Sequence, residues 1–195
     1  MANLTRAQAQ TILSRLGWRV NTSARLTQGI KDFQAGYGFG TTGLAVDGSL
    51  GPKTSAAMRY SESRRAAGKT TCSTHFNFTE FRCHCGGKYA SCRRIFIKRG
   101  AVAMVERYRS KSGRSLSIIS GCRCPSHNKA VGGSSTSRHP QGKAADVPAR
   151  YSVATVRSWR LATHIGYGSV SRKVNHIDIG TGGSLSSPIV YVDGR

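Results

Sequence analysis

The chain has 195 residues, 38% of them hydrophobic, enough for one sizeable domain or for a small domain followed by a medium one. Its 30 Lys and Arg face only 8 Asp and Glu, a formal charge of +22, which favours a polyanionic partner such as nucleic acid, an anionic membrane or an anionic cell wall. No stretch approaches the ~20 apolar residues that a membrane span needs. Residues 1–7 show no basic segment leading into an apolar run, so no secretory signal is expected and synthesis in a cytoplasm is.

Residues 4–20 are predicted to form a helix: Thr5 caps it, and Ala9, Ile12, Leu13 and Leu16 share one face before Gly17. A second helix fits Ala24 to Ala35 with Leu26, Ile30 and Phe33 inward, ending where Gly36, Gly38 and Gly40 begin. A turn-rich stretch, Leu44 to Thr54, leads into a third helix over Lys53–Tyr60. Residues 1–62 therefore read as a small three-helix domain with three acids, no His and no Cys. The polar, small residues 63–74 read as a linker to a second domain over 75–195. There, Ile97–Ser110 has helical periodicity and Leu116–Ser120 reads as a buried strand delivering Gly121-Cys122-Arg123-Cys124. Val153–Thr163 reads as a further helix, and 174–179 and 188–192 as strands. Helices interspersed with short strands predict an α+β fold rather than a doubly wound sheet.

The chemistry concentrates in Ser137-Arg138-His139-Pro140-Gln141-Gly142-Lys143-Ala144-Ala145-Asp146 and in Val174-Asn175-His176-Ile177-Asp178-Ile179-Gly180. The first places an imidazole and a carboxylate seven residues apart. The second, read as a strand, projects His176 and Asp178 from one face. Together they can close a three-ligand zinc site with a position left open for water. Taken singly, each residue has a duller reading: His139 beside an Asp is usually a surface or satisfied pair, Arg123 a solvated charge, Ser137 a turn cap. Their joint spacing lifts them. His75 and His164 match nothing and are expected at the surface. The six cysteines, 72, 83, 85, 92, 122 and 124, leave three readings open: a structural zinc, disulfides, or buried thiols.

The first 62 residues resemble the peptidoglycan-binding three-helix domain of cell-wall hydrolases, through Ile30-Lys31-Asp32-Phe33-Gln34 and the Asp47-Gly48-Ser49-Leu50-Gly51-Pro52-Lys53-Thr54 run. Residues 76–180 resemble the zinc D-Ala-D-Ala carboxypeptidase superfamily, which includes L-alanyl-D-glutamate peptidases and the hedgehog signalling domain. Its marks here are Ser120-Gly121-Cys122-Arg123-Cys124-Pro125, the Ser137–Asp146 core, and His176-Ile177-Asp178-Ile179-Gly180. The resemblance implies a small, mainly antiparallel sheet with flanking helices. It implies His139 and Asp146 as zinc ligands, with the third from the His176/Asp178 pair. Imidazole is the more usual third ligand, which favours His176. Relatives often carry His-x-His here, and others a carboxylate three residues before the ligand, where this chain has Lys173. Among the remaining acids Asp178 is then the expected catalytic base. Arg123 matches a substrate-binding arginine able to grip a carboxylate or stabilise the carbonyl oxygen, and Ser137 matches a substrate-binding serine.

The implied function is a Zn2+-dependent peptidase cutting stems or cross-links of bacterial peptidoglycan. The pairing with a wall-binding module looks like a monomeric bacteriophage endolysin, reaching the wall after release and drawn to anionic envelope polymers. The competing expectations are an inactive zinc domain that binds the wall or a ligand, and a basic nucleic-acid-binding protein. The latter lacks Cys/His finger spacing and clustered basic residues, so no nucleic-acid partner is expected.

Overall fold

The computed structural model describes residues 2–193. Helix α1 (Arg6–Arg15) begins at Thr5, whose hydroxyl accepts from the Gln8 N–H while the Gln8 side chain accepts from the Thr5 N–H. This reciprocal cap satisfies two otherwise orphaned donors. The helix is shorter than its periodicity predicts, because Gly17 takes the left-handed conformation at φ 107° and a side chain there would meet Thr79. Helices α2 (Ser23–Gly36) and α3 (Pro52–Ala66) follow. Buried Gln34 ties their connection together: its amide donates to Asp47 Oδ1 at 2.8 Å and Thr54 Oγ1 at 3.1 Å, and its carbonyl accepts from the Gly48 N–H at 2.8 Å. The two stretches that carry the first resemblance thus hold one another. Gly48, at φ 82°, supplies the turn, and Pro52 opens α3 where its missing N–H costs nothing.

The segment 63–74, expected as a linker, starts as the final turn of α3 and continues as a folded-back turn with Thr71, Cys72 and Ser73 buried. The Ser61 hydroxyl donates to the Thr71 carbonyl, and the Gly38 N–H to the Cys72 carbonyl. Small polar residues here satisfy backbone groups rather than leave the chain free. Beyond them, a 3-10 turn (Phe78–Phe81) and an irregular stretch lead to α4 (Arg99–Ser112), whose buried face is Ala101, Val102, Met104, Val105 and Tyr108. Two short helices, α5 (Pro125–Ala130) and α6 (Val153–Ser158), flank a four-stranded sheet. Its strands are β1 (Ala144–Asp146), β2 (His164–Gly168), β3 (Val174–Asp178) and β4 (Ile189–Asp193), in the order β1-β3-β2-β4. Pairs β1–β3 and β3–β2 are antiparallel and β2–β4 is parallel, an α+β architecture as expected.

Two predicted elements differ. Leu116–Ser120 is not a strand: it touches the outer edge of β1 through one bridge, Ser120 to Asp146, and Ile119 is exposed. Its apolar run fits a buried strand, but only Leu116 is fully buried, with Ile118 packed on the core from its rim. The helix from Val153 stops at Ser158, because Arg160 adopts a left-handed conformation (φ 51°) that no helix interior accepts. Among the described residues no helix is long and apolar enough to cross a membrane.

One continuous apolar interior spans both halves of the chain. Trp18 and Phe33 of the helical half pack on Phe78 at ring-centroid distances of 4.7 and 5.4 Å, and the Trp18 indole N–H donates to the Ile95 carbonyl at 3.0 Å. A polar contact runs beside it: buried Asp32 accepts from Arg93 Nη1 at 2.9 Å and from Gln28 through Oδ1, while its Oδ2 has no partner. Burial pushes the Asp32 carboxyl up to about 6, against the pull of Arg93. The folded state therefore holds a proton there more tightly than the unfolded chain does. The stabilisation is complete below the unfolded value and lost as pH rises through about 6. Measured by urea unfolding, the stability of the native chain relative to Asp32→Asn should fall by up to about 3 kcal/mol between about pH 4 and pH 7. A pH-independent difference would contradict this.

Candidate active site

The sheet register assembles the site. Strand β3 lies between β1 and β2, with His176 opposite both Asp146 and Gly166, and Asp178 opposite both Ala144 and His164. Because side chains alternate along a strand, His176, Asp178, Asp146 and His164 fall on one face. Gly166 keeps that face open: a side chain there would press on His176 Cβ and the Tyr191 ring. His139 arrives from the other direction, on a 3-10 turn (His139–Gln141) that Gly142 ends at φ 68°. A Cβ at Gly142 would collide with the Phe96 carbonyl, so this glycine is what lets the chain turn tightly between His139 and β1.

His139, Asp146 and His176 converge, as their spacing predicts. Asp146 Oδ1 lies 3.1 Å from His139 Nε2 and 2.8 Å from His176 Nδ1, and the three donor atoms sit within 4.8 Å of one another. All three residues are buried. The far nitrogens fix which protons are where. His139 Nδ1 lies 2.6 Å from the Gly121 carbonyl, which can only accept, so Nδ1 carries the proton and Nε2 turns a lone pair toward Asp146. His176 has a carboxylate oxygen on each side, Asp146 Oδ1 at 2.8 Å from Nδ1 and Asp178 Oδ2 at 3.3 Å from Nε2, so a cation held at Nδ1 would leave the ring proton on Nε2 facing Asp178. Three electron-pair donors aimed at one point are mutually repulsive unless a cation lies between them. Two imidazoles and a carboxylate suit Zn2+, and orientation of each imidazole by an acceptor is the usual support for such ligands.

Electrostatics agrees. Burial pulls the His139 imidazole below its ordinary value, against the raising effect of Asp146, so it stays neutral and able to bind a metal. Burial acts the same way on His176, but its hydrogen bonds to Asp146 and Asp178 outweigh it and hold that imidazole above the ordinary value. In the absence of a cation, His176 is thus the proton-holding member of the trio.

Arg123 lines the same cleft as His139, His164 and His176, with its guanidinium turned toward Asp146. It is only 6% exposed, and its guanidinium donates to Asp146 Oδ2 at 2.9 Å, to Ser120 Oγ at 3.0 Å and to Asn128 Oδ1 at 3.4 Å. It holds the far oxygen of Asp146 while the near one faces the histidines. Ser137 lines the cleft, its hydroxyl 3.4 Å from the His139 N–H. Asp178 has both oxygens engaged: Oδ2 by His176, Oδ1 by the Gly180 N–H at 2.8 Å and by His164 Nδ1 at 2.9 Å.

His164, expected at the surface, is instead mostly buried on β2 and lines a cleft of about 620 Å³ together with Arg138, His139, His176 and Tyr191. Sequence reasoning missed it because His164-Ile165-Gly166-Tyr167-Gly168 is short and two of its five residues are glycines. Both facts hide a strand from propensity.

Since Asp178 orients His176, Asp178→Ala should weaken zinc binding about 10–100-fold. Competition with a chelating dye measures this, with Lys173→Ala as a surface control. An unchanged affinity would show that the Asp178 contact does not support a ligand.

Comparison with protein-family profiles matches residues 74–179 to the family described as Peptidase M15. The matched span begins ahead of the Phe78–Phe81 turn and ends just past β3, so it contains every residue of the converging trio. A comparison with curated proteins finds no match. The family match covers more than half of the chain, and the chain belongs to the Peptidase M15 family.

Proposed function

We propose that this chain is a zinc-dependent peptidase that hydrolyses peptide bonds in the stems or cross-links of bacterial peptidoglycan, acting as a bacteriophage endolysin. The observation that carries the peptidase reading is the convergence of His139, Asp146 and His176 at the base of a cleft that also presents His164. These three residues would hold the zinc, which supplies a Lewis acid that polarises a carbonyl and makes water easier to deprotonate.

The rest of the chemistry belongs to side chains. The Thr163 hydroxyl donates to the Gly180 carbonyl and accepts from His164 Nδ1 at 3.0 Å, with Asp178 Oδ1 also 2.9 Å from Nδ1, which leaves Nε2 as the basic atom facing the cleft. His164 Nε2 takes the proton of the attacking water and returns it to the leaving amine, while Asp178 stabilises the imidazolium formed. The expected role of Asp178 as base is thereby shared: the carboxylate orients, and the imidazole transfers. Arg123 keeps Asp146 in place. Arg138, half-buried in the cleft wall, supplies a cation for a stem carboxylate, with Ser137 beside it.

Peptidoglycan is favoured over other peptides by two features outside the cleft. The +22 charge suits a polyanionic envelope, and residues 1–62 have the pattern of a wall-binding three-helix unit folded around Gln34.

Mass spectrometry of fragments released from purified peptidoglycan, with and without chelator, tests the reading. Loss of one terminal D-Ala denotes a carboxypeptidase, and separated stems or cross-links an endopeptidase. His139→Ala is expected to abolish release. His164→Ala is expected to lower kcat by about 10²–10⁴-fold while leaving zinc content unchanged. No metal-dependent cleavage of any wall type would leave a binding domain, and an undiminished His164→Ala rate would remove that residue from the mechanism.

A further inference from the structure

A second metal-binding geometry lies outside the cleft. The Sγ atoms of Cys83, Cys85, Cys92 and Cys124 all lie within 4.8 Å of one another. Tetrahedral zinc with four thiolates at about 2.3 Å requires sulfurs about 3.8 Å apart, a spacing these side chains reach with small adjustments. Cys83, Cys92 and Cys124 are buried, and they form a small cluster of their own, separate from the main interior, with only Cys85 and Tyr89 packed against it. Cys72 and Cys122 stand apart: Cys72 Sγ contacts the Gly36 carbonyl, and Cys122 Sγ accepts from the Phe96 N–H.

The surroundings suit thiolates. Backbone N–H groups point at sulfur, from Cys124 to Cys83 at 3.3 Å and from Arg94 to Cys92 at 3.4 Å. Gly86 and Gly87, both at positive φ, turn the chain sharply just after Cys85. Residues 82–94 contain Arg82, Lys88, Arg93 and Arg94 and no Asp or Glu. Four thiolates around one Zn2+ carry a net charge of −2, and these cations offset it. Residues 82–94 form neither helix nor strand, and the only buried side chains among them, Cys83 and Cys92, offer too small an apolar core to fix so long an irregular segment.

We propose that Cys83, Cys85, Cys92 and Cys124 bind a structural Zn2+ that staples the 83–92 loop to the start of α5. As each sulfur binds, its thiol proton passes to solvent, so up to four protons leave and no oxidant is needed. The staple acts next to the cleft. Cys124 directly follows Arg123, which grips Asp146, and directly precedes Pro125, the first residue of α5. The site is independent of His139, Asp146 and His176 and stands whether or not the chain cleaves peptidoglycan.

The test is metal analysis of the full chain purified with reductant present. Two zinc per chain are expected, with one remaining in His139→Ala and one in Cys85→Ser. The cobalt(II)-substituted protein is expected to show the intense near-ultraviolet sulfur-to-cobalt charge-transfer band, retained in His139→Ala and lost in Cys85→Ser. If Cys85→Ser does not fold, the wild-type stoichiometry and His139→Ala spectrum decide. A single zinc per chain that disappears in His139→Ala, or a cobalt spectrum without thiolate bands, would overturn the proposal. So would an intact mass showing these four cysteines paired as disulfides under the same reducing conditions.

Discussion

The site hangs on one carboxylate. Asp146 is shared by Arg123 on one oxygen and by two imidazoles on the other, and all four side chains are shielded from bulk water. In such surroundings charge–charge interactions are far stronger than at the surface, so none of the four is free to drift. The pairing Asp146↔His176 across β1 and β3 brings the carboxylate to the sheet. The Ser120–Asp146 bridge then brings the Arg123 segment to the carboxylate. A strand of three residues is thus enough, because both of its neighbours are read through the same amino acid.

Support reaches this carboxylate from several directions, each by a different kind of force. Gly142 does it by backbone conformation, the Gly121 carbonyl by fixing an imidazole proton, and Asp178 by bridging His176 and His164. Tyr191 adds packing, its ring 6.0 Å from that of His176. The reacting side of the sheet faces a cleft, while Ile165 and Ile177 on the opposite side join the apolar interior.

Much of this was legible in the sequence. The Ser-x-His-x-x-Gly-x-Ala-x-Asp spacing and the His-x-Asp run carried the trio, because metal geometry demands side chains at fixed offsets. Helical periodicity carried α2 and α4, whose apolar residues turned inward as predicted. What escaped was whatever depends on partners distant in the chain. His164 looked isolated because its partner, Asp178, is fourteen residues away and meets it only through strand register. The contacts of Arg123 with Asp146 and Asn128 were likewise hidden, because nothing local in the sequence shows that these side chains surround its guanidinium. Leu116–Ser120 looked like a strand because composition alone does not say that a sheet edge offers it a single bridge. The segment after α3 looked free because small polar residues build linkers and tight turns alike.

The shared interior around Trp18 and Phe78 bears on how such a chain can be engineered or can evolve. Modules joined by a flexible tether can be exchanged like beads, since each keeps its own oily centre. Here Trp18 and Phe33 are part of the wall against which Phe78 and Ile95 rest. A chimaera cut between residues 62 and 75 would leave raw aromatic surface on both fragments, prone to clump before either could work. Graft points for a new targeting head therefore belong on solvent-facing turns of the helical half, with the chain between the halves left whole.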